Sequence, residues 1–184
     1  MSRRGKILIA NPAMPKTNPF YKSVIYLYVD DATTGSVGLV LNKPSGIPVQ
    51  KVFYDNKCTY PPPEKLVYMG GPVNPNAICI LHTDEWQSQN TMVAGNNLLV
   101  SSDQLMFLKM SQGNEPVYWR MTIGISSWSP GQLDMELAGQ FPYNNAHKWL
   151  TATPTESILF EYDGEEQWSK ALELCSKQTI DQWI

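Results

Sequence analysis

The chain has 184 residues, of which 42% are apolar, 11% aromatic and only 17% charged, against about 25% charged in an average soluble domain. Six Trp and nine Tyr exclude a charge-rich disordered chain, and the longest uninterrupted apolar run, Val24 to Val29, falls far short of the ~20 residues that cross a bilayer. The net charge of -3, from 14 Lys and Arg against 17 Asp and Glu, has the wrong sign for a surface that tracks phosphates.

The one dense basic patch is Arg3, Arg4 and Lys6 at the N-terminus, where disorder is expected. A twin-arginine export signal does not fit, because only Ile7 to Ala10 follow as an apolar stretch before Asn11-Pro12. The expectation is a cytoplasmic protein with no membrane partner. Lys6 to Ala10 reads as a short strand. Ser23 to Val29 and Val37 to Asn42 are rich in Val, Ile, Leu and Tyr, and the turn cluster Asp30 to Gly35 between them predicts a hairpin. Pro48 opens a short helix through Tyr54. Tyr60-Pro61-Pro62-Pro63 imposes a stiff extended path between two lobes of one domain.

Leu66 to Met69 and Ala77 to His82 are read as strands joined by a Gly70-Gly71-Pro72 turn, with Asn97 to Val100 another. Ser102 to Gln112 has helical character: Ser101 or Ser102 caps it, Leu105, Met106 and Leu108 give an apolar face, and Gly113 ends it. Val117 to Ile125 is a nearly all-apolar strand interrupted by Arg120, Thr122 and Gly124. Ser129-Pro130 then starts a helix carrying Leu133 and Leu137. A last helix, Glu165 to Ser176, buries the stripe Trp168, Ala171, Leu172 and Cys175. Trp119, Trp128, Trp149 and Trp168 are assigned to the core, Trp86 and Trp183 to the surface. Strands outnumber helices, so the class is α+β.

Three cysteines, Cys58, Cys79 and Cys175, stand at wide spacings with no C-x-x-C, so buried inert thiols are expected rather than a disulfide framework or a zinc site. Cys79 and His82 lie three apart on one strand and so point to opposite faces, whereas a nucleophile needs its base within hydrogen-bond reach. Gly124-Ile125-Ser126-Ser127-Trp128 approaches a nucleophile elbow but has Trp128 where the second glycine belongs. The turn that follows offers the backbone N–H groups of Gly131 and Gln132 to an anion or a partner's carboxylate, with Ser129 capping as the simpler reading. Gly70-Gly71-Pro72 lacks any P-loop context. His82, Asp84 and Glu85 are too few for a structural metal site, and the other histidine, His147, is remote in sequence. Asp134 and Glu136, two apart on a helix, diverge.

Several segments in order resemble the YqgE/AlgH family of small bacterial proteins: Gly5 to Met14 (GKILIANPAM), Gly38 to Pro44 (GLVLNKP), Gly70 to Val73 (GGPV), Ile80 to His82 (ILH) and Gly124 to Leu137 (GISSWSPGQLDMEL). Leu159-Phe160, Trp168 and Ala171-Leu172 extend the likeness to the C-terminal region. The resemblance implies a single α+β domain with a bent, branched, mostly antiparallel sheet around a small barrel, flanked by helices. It carries the label of transcriptional regulator and no catalytic constellation. This sequence departs from the family at Ser127 and Ser129, where small residues, often glycine, surround the Trp, and in the Tyr-Pro-rich insert near Thr59 to Pro63.

The functional expectation is a non-enzymatic binding or regulatory protein that acts through contacts with a protein partner. Gly70, Gly71, His82, Trp128, Gly131 and Gln132 are the candidate binding residues, with no catalytic residue, metal or cofactor. The alternatives are a small hydrolase or thiol-dependent enzyme using Ser126 or Cys79, and a direct nucleic-acid binder, which the net charge disfavours.

Overall fold

A computed structural model describes residues 1–61, 64–139 and 148–184 of the chain. Pro62, Pro63 and His147, which figured in the sequence reading, lie outside the described residues.

The first three strands form an antiparallel unit: β1 (Ile7–Ala10), β2 (Val24–Asp31) and β3 (Gly35–Val40). Their apolar residues run almost without interruption because both faces are covered. Ile7, Ile9, Val24, Tyr26 and Leu39 enter one core, while Leu8, Ala10, Ile25, Leu27 and Val40 enter another, as the two-residue period of a strand requires. β4 (Pro44–Pro48) leads into α1 (Val49–Asp55), with the expected Pro48 as the residue preceding the helix.

β5 (Leu66–Met69) and β6 (Val73–Thr83) are joined through Gly70-Gly71-Pro72 but do not pair with each other; both pair with β9 (Trp119–Trp128). β7 (Thr91–Gly95) and β8 (Leu98–Ser101) form a hairpin whose second strand lies against β6. α2 (Gln104–Ser111) and α3 (Gln132–Ala138) flank β9 in sequence. The chain closes with β10 (Trp149–Ala152), α4 (Glu156–Phe160) and α5 (Gly164–Asp181). β10 pairs with β1 and joins the C-terminal region to the N-terminal strand.

The sheet runs β10-β1-β2-β3-β9-β6-β8-β7, with β5 and β4 branching off at β9. β9 meets β6 along Trp119 to Ile125, β5 at Thr122 and Ile123, and β3 at Ser126 to Trp128. The fold is therefore α+β with a branched, mostly antiparallel sheet; β5–β9 is the parallel pairing among the described residues. The expected small barrel is not closed. β7 packs against β2, with the Tyr26 hydroxyl 2.8 and 2.9 Å from the Ala94 and Gly95 carbonyls, but no strand ladder joins the two.

Several local readings are corrected by packing. α2 is capped by Asp103, whose carboxylate accepts the Met106 N–H at 2.8 Å, and not by Ser101 or Ser102. Ser101 and Ser102 are instead engaged with His82 and the Ile78 carbonyl. The buried face of α2 is Met106, Phe107 and Met110, and Leu108 is exposed. α3 begins after Gly131, which takes a left-handed φ of 78°, so Ser129-Pro130 sits before the cap. Trp86 is buried: its indole N–H donates to Asn114, and His82 packs edge-on at 5.1 Å. The N-terminal patch is held in place, Arg3 by Asp30 and Asp134 and Lys6 by the Thr153 hydroxyl.

Candidate binding site

The six candidate residues fall into three separate places. Gly70 and Gly71 pack against the bend in β9. A Cβ on Gly70 would lie 2.2 Å from the Gly124 carbonyl oxygen, and one on Gly71 2.2 Å from that of Ile125. Real Cβ atoms do not approach backbone so closely, so glycine is required here for chain crossing. Ser126 belongs to the same contact: it is buried and donates to the Gly70 carbonyl at 3.1 Å.

Trp128, Gly131 and Gln132 form the second place. Trp128 is buried edge-on against Trp149. Gln132 turns back to accept the Ser129 N–H at 3.0 Å. The cavity beside Gly131, about 290 Å³, is lined by Asp30, Asp31 and Asp134 together with Arg3. Its acidic lining opposes the anion that the sequence suggested, and Asp134 already places negative charge in the first turn of α3.

His82 is the third. It has no solvent exposure. Nδ1 lies 2.8 Å from the Thr83 carbonyl and Nε2 lies 2.7 Å from Ser101 Oγ. A carbonyl can only accept, so Nδ1 carries the proton and Nε2 accepts from Ser101. Burial lowers the pKa of the imidazole, opposed by the Thr83 carbonyl and Glu85. This serine–histidine pair has the spacing of a nucleophile and its base, and sequence reading missed it because the two residues are 19 apart. Ser101 is also fully buried, and its Oγ lies 2.6 Å from Thr91 Oγ1. The pair has zero exposure, and together with Thr91 it ties β6 to β8 and β7.

Cys79 faces the opposite side of β6 from His82, in a separate apolar cluster, and burial pushes its thiol pKa up, away from the reactive thiolate. Among the described residues no three His, Cys, Asp or Glu side chains converge to hold a metal, and no helix is long and apolar enough to cross a membrane.

Two surface features were not foreseen. Tyr54, 77% exposed, and Leu108, 48% exposed, line a groove of about 600 Å³ at α1 and α2, together with Lys57, Cys58, Thr59 and Ser111. At the start of β9, Arg120 is buried yet lines a cleft with Lys65, Tyr68, Trp119 and Phe160. The sequence signals were present, an arginine inside an apolar run and apolar residues on both helices. The burial and the juxtaposition were not.

A family model described as AlgH-like matches residues 7–179. The chain belongs to the AlgH-like family. The AlgH-like chain is 31% identical over 179 residues to a UPF0301 protein of Chromobacterium violaceum, covering 95% of this chain and 90% of that one. It is 34% identical over 168 residues to a UPF0301 protein of Pseudomonas paraeruginosa, covering 89% and 84%. Its fold is similar to the solution structure of the AlgH protein from Pseudomonas aeruginosa, with a TM-score of 0.76 and 29% identity over 95% of this chain and 89% of that one. A crystal structure from Corynebacterium diphtheriae, at 22% identity and a TM-score of 0.65 over 91% and 84%, shares the fold.

Proposed function

We propose that this AlgH-like protein is a non-enzymatic binding domain that acts through contact with a protein partner. The observation that carries the reading is the α1–α2 groove. Tyr54 and Leu108, one from each helix, stand exposed on its lining, while the helices beneath are anchored by the buried Val52, Phe53, Met106 and Phe107. A groove at two helices with exposed apolar side chains suits the apolar face of an amphipathic helix, and Lys57 on the lining favours an acidic residue beside that face.

The candidate nucleophiles support the same reading, since Ser126 and Cys79 are both buried and each is remote from His82 in its contacts. Nucleic-acid binding draws little support from the three arginines: Arg3 is paired with two carboxylates and Arg120 is buried, which leaves Arg4 as a lone exposed one. Any regulatory role is then indirect.

The test is affinity capture with the wild type and with a Tyr54→Ser, Leu108→Ser variant. Both positions are exposed, so the variant should keep its thermal midpoint. A protein retained by the wild type and lost by the variant upholds the reading. Equal capture by both proteins, or steady turnover in a panel of ester and thioester substrates, overturns it.

A further inference from the structure

Burying a cation costs several kcal/mol unless something compensates it, and the cleft at the start of β9 gathers one buried and one half-buried cation, neither in a direct ion pair among the described residues. Arg120 is only 7% exposed. Its Nη1 donates to the Leu41 carbonyl at 2.9 Å and to Gln167 Oε1 at 2.7 Å, and its Nη2 to the Tyr162 carbonyl at 2.8 Å. All three acceptors are neutral. The guanidinium has five N–H donors, so the Nε–H and one Nη2 N–H remain without a partner among the described residues.

Lys65, half-buried, holds its ammonium 4.1 Å from the centre of the Trp119 ring and has no acceptor among the described residues. Burial holds its pKa below the usual lysine range and the nearby Arg120 adds to this, with Glu115 opposing. Neither cation is in an ion pair among the described residues.

Three carboxylates lie near without forming an ion pair with either cation: Asp163, which accepts from the Tyr68 hydroxyl at 3.0 Å and favours the Arg120 charge, Glu115, which accepts from the Tyr60 hydroxyl at 2.9 Å and favours the Lys65 charge, and Glu64, exposed at the mouth. Three of the lining side chains are aromatic: Tyr68, whose ring lies 4.4 Å from the Arg120 guanidinium carbon, Trp119 and Phe160, with Leu66 and Met121 beside them. The cavity is about 280 Å³, at the lower edge of the roughly 300–1,000 Å³ of ligand pockets. That volume suits a single ring with one charged group.

We propose that this cleft binds a small organic anion, with its oxyanion on the open Nε–H and Nη2 N–H of Arg120 beside Lys65, and its ring against Tyr68, Trp119 and Phe160. A guanidinium fork takes a carboxylate or a phosphoryl group in two parallel charge-assisted bonds, so the shared chemistry is an oxyanion on an aromatic body. The cleft shares no lining residue with the α1–α2 groove, and it stands or falls independently of the protein-partner reading.

The experiment is an amide, indole and guanidinium N–H NMR titration of the full chain with benzoate, phenyl phosphate, benzamide and inorganic phosphate. Benzoate or phenyl phosphate should give saturable shifts at the Trp119 indole and the Arg120 Nε–H. The tighter of the two identifies the headgroup. Benzamide and inorganic phosphate, each lacking one half of the recognised chemistry, should bind at least about tenfold more weakly, the effect of one charge-assisted bond. Lys65→Met should weaken the anion about tenfold with the thermal midpoint unchanged. Benzamide binding as tightly as benzoate, shifts that never saturate, or a Lys65→Met variant with wild-type affinity would overturn the proposal.

Discussion

Arg120 links three parts of the chain that are distant in sequence: the end of β3 through Leu41, the α4–α5 connection through Tyr162, and α5 through Gln167. Gln167, itself without exposure, passes the connection on to the Ile158 carbonyl of α4. Arg120→Met keeps the bulk but leaves three acceptors without a donor. It should cost about 3 kcal/mol or more in urea unfolding, at roughly 1 kcal/mol or more per orphaned group. Arg120→Lys should recover only part of this, because an ammonium cannot reproduce the planar fork.

His82 gives a pH test. Its folded pKa is lowered by burial from an ordinary value of 6.5. Below about pH 6.5 the unfolded chain takes up a proton that the folded chain resists. The contribution is complete above that pH and lost as pH falls toward the folded value. Thermal midpoints measured from pH 8 down to pH 5 should show this decline in the wild type, and His82→Gln should remove it. A variant that declines as steeply would place the titration elsewhere.

At the scale of elements, the ends and crossings carry the specificity. Asp103 receives the N–H groups of Met106 and Asn90 and the Ser88 hydroxyl, so it both caps α2 and fixes the loop before β7. Asp103→Ala should cost about 1–2 kcal/mol, measured by urea denaturation.

The glycines separate conformational from steric need. Gly131 has a positive φ but open space around its Cβ position, whereas Gly71 combines φ of 152° with a backbone oxygen at 2.2 Å. Gly131→Ala should cost roughly 1–2 kcal/mol for the left-handed backbone. Gly71→Ala should cost about 3 kcal/mol or more, because backbone must move. Comparable losses in the two variants would contradict the close crossing of β5–β6 over β9.

For the whole molecule, the thiols report which parts open together. Cys79 and Cys175 are buried in one core with β1, β2, β3 and α5, and Cys58 is partly exposed in the α1–α2 groove. A thiol reagent should label Cys58 under native conditions and reach Cys79 and Cys175 only as the protein unfolds. Native labelling of all three at similar rates would show that this core opens locally. The edge of the sheet beyond β10 is guarded in the same whole-molecule fashion: the Gln178 side chain of α5 both donates to the Thr153 carbonyl and accepts its N–H, in place of a further strand.

Composition and apolar patterning sufficed for the α+β class, the β2–β3 hairpin, strand β9 and the terminal helix, because each depends on residues within one or two turns of one another. The same local signals misplaced the caps of α2 and α3: Asp103 is also held by Ser88 and Asn90 from the loop before β7, and Gly131 supplies the left-handed backbone that opens α3. They missed β4, β7, β10 and α4, which are short and become regular only through pairing or packing. Trp86 looked exposed among Asp84, Glu85 and Gln87, yet it is buried against His82. The candidate site residues were individually visible, but their separation into three places was not, nor was the meeting of Lys65, Arg120 and the aromatic walls. Sequence alone determined which segments prefer helix or strand, because backbone preference and periodicity are local. Tertiary structure decided which charges were buried, which glycines were indispensable and where a surface stayed open, because those depend on groups brought together from dozens of residues apart.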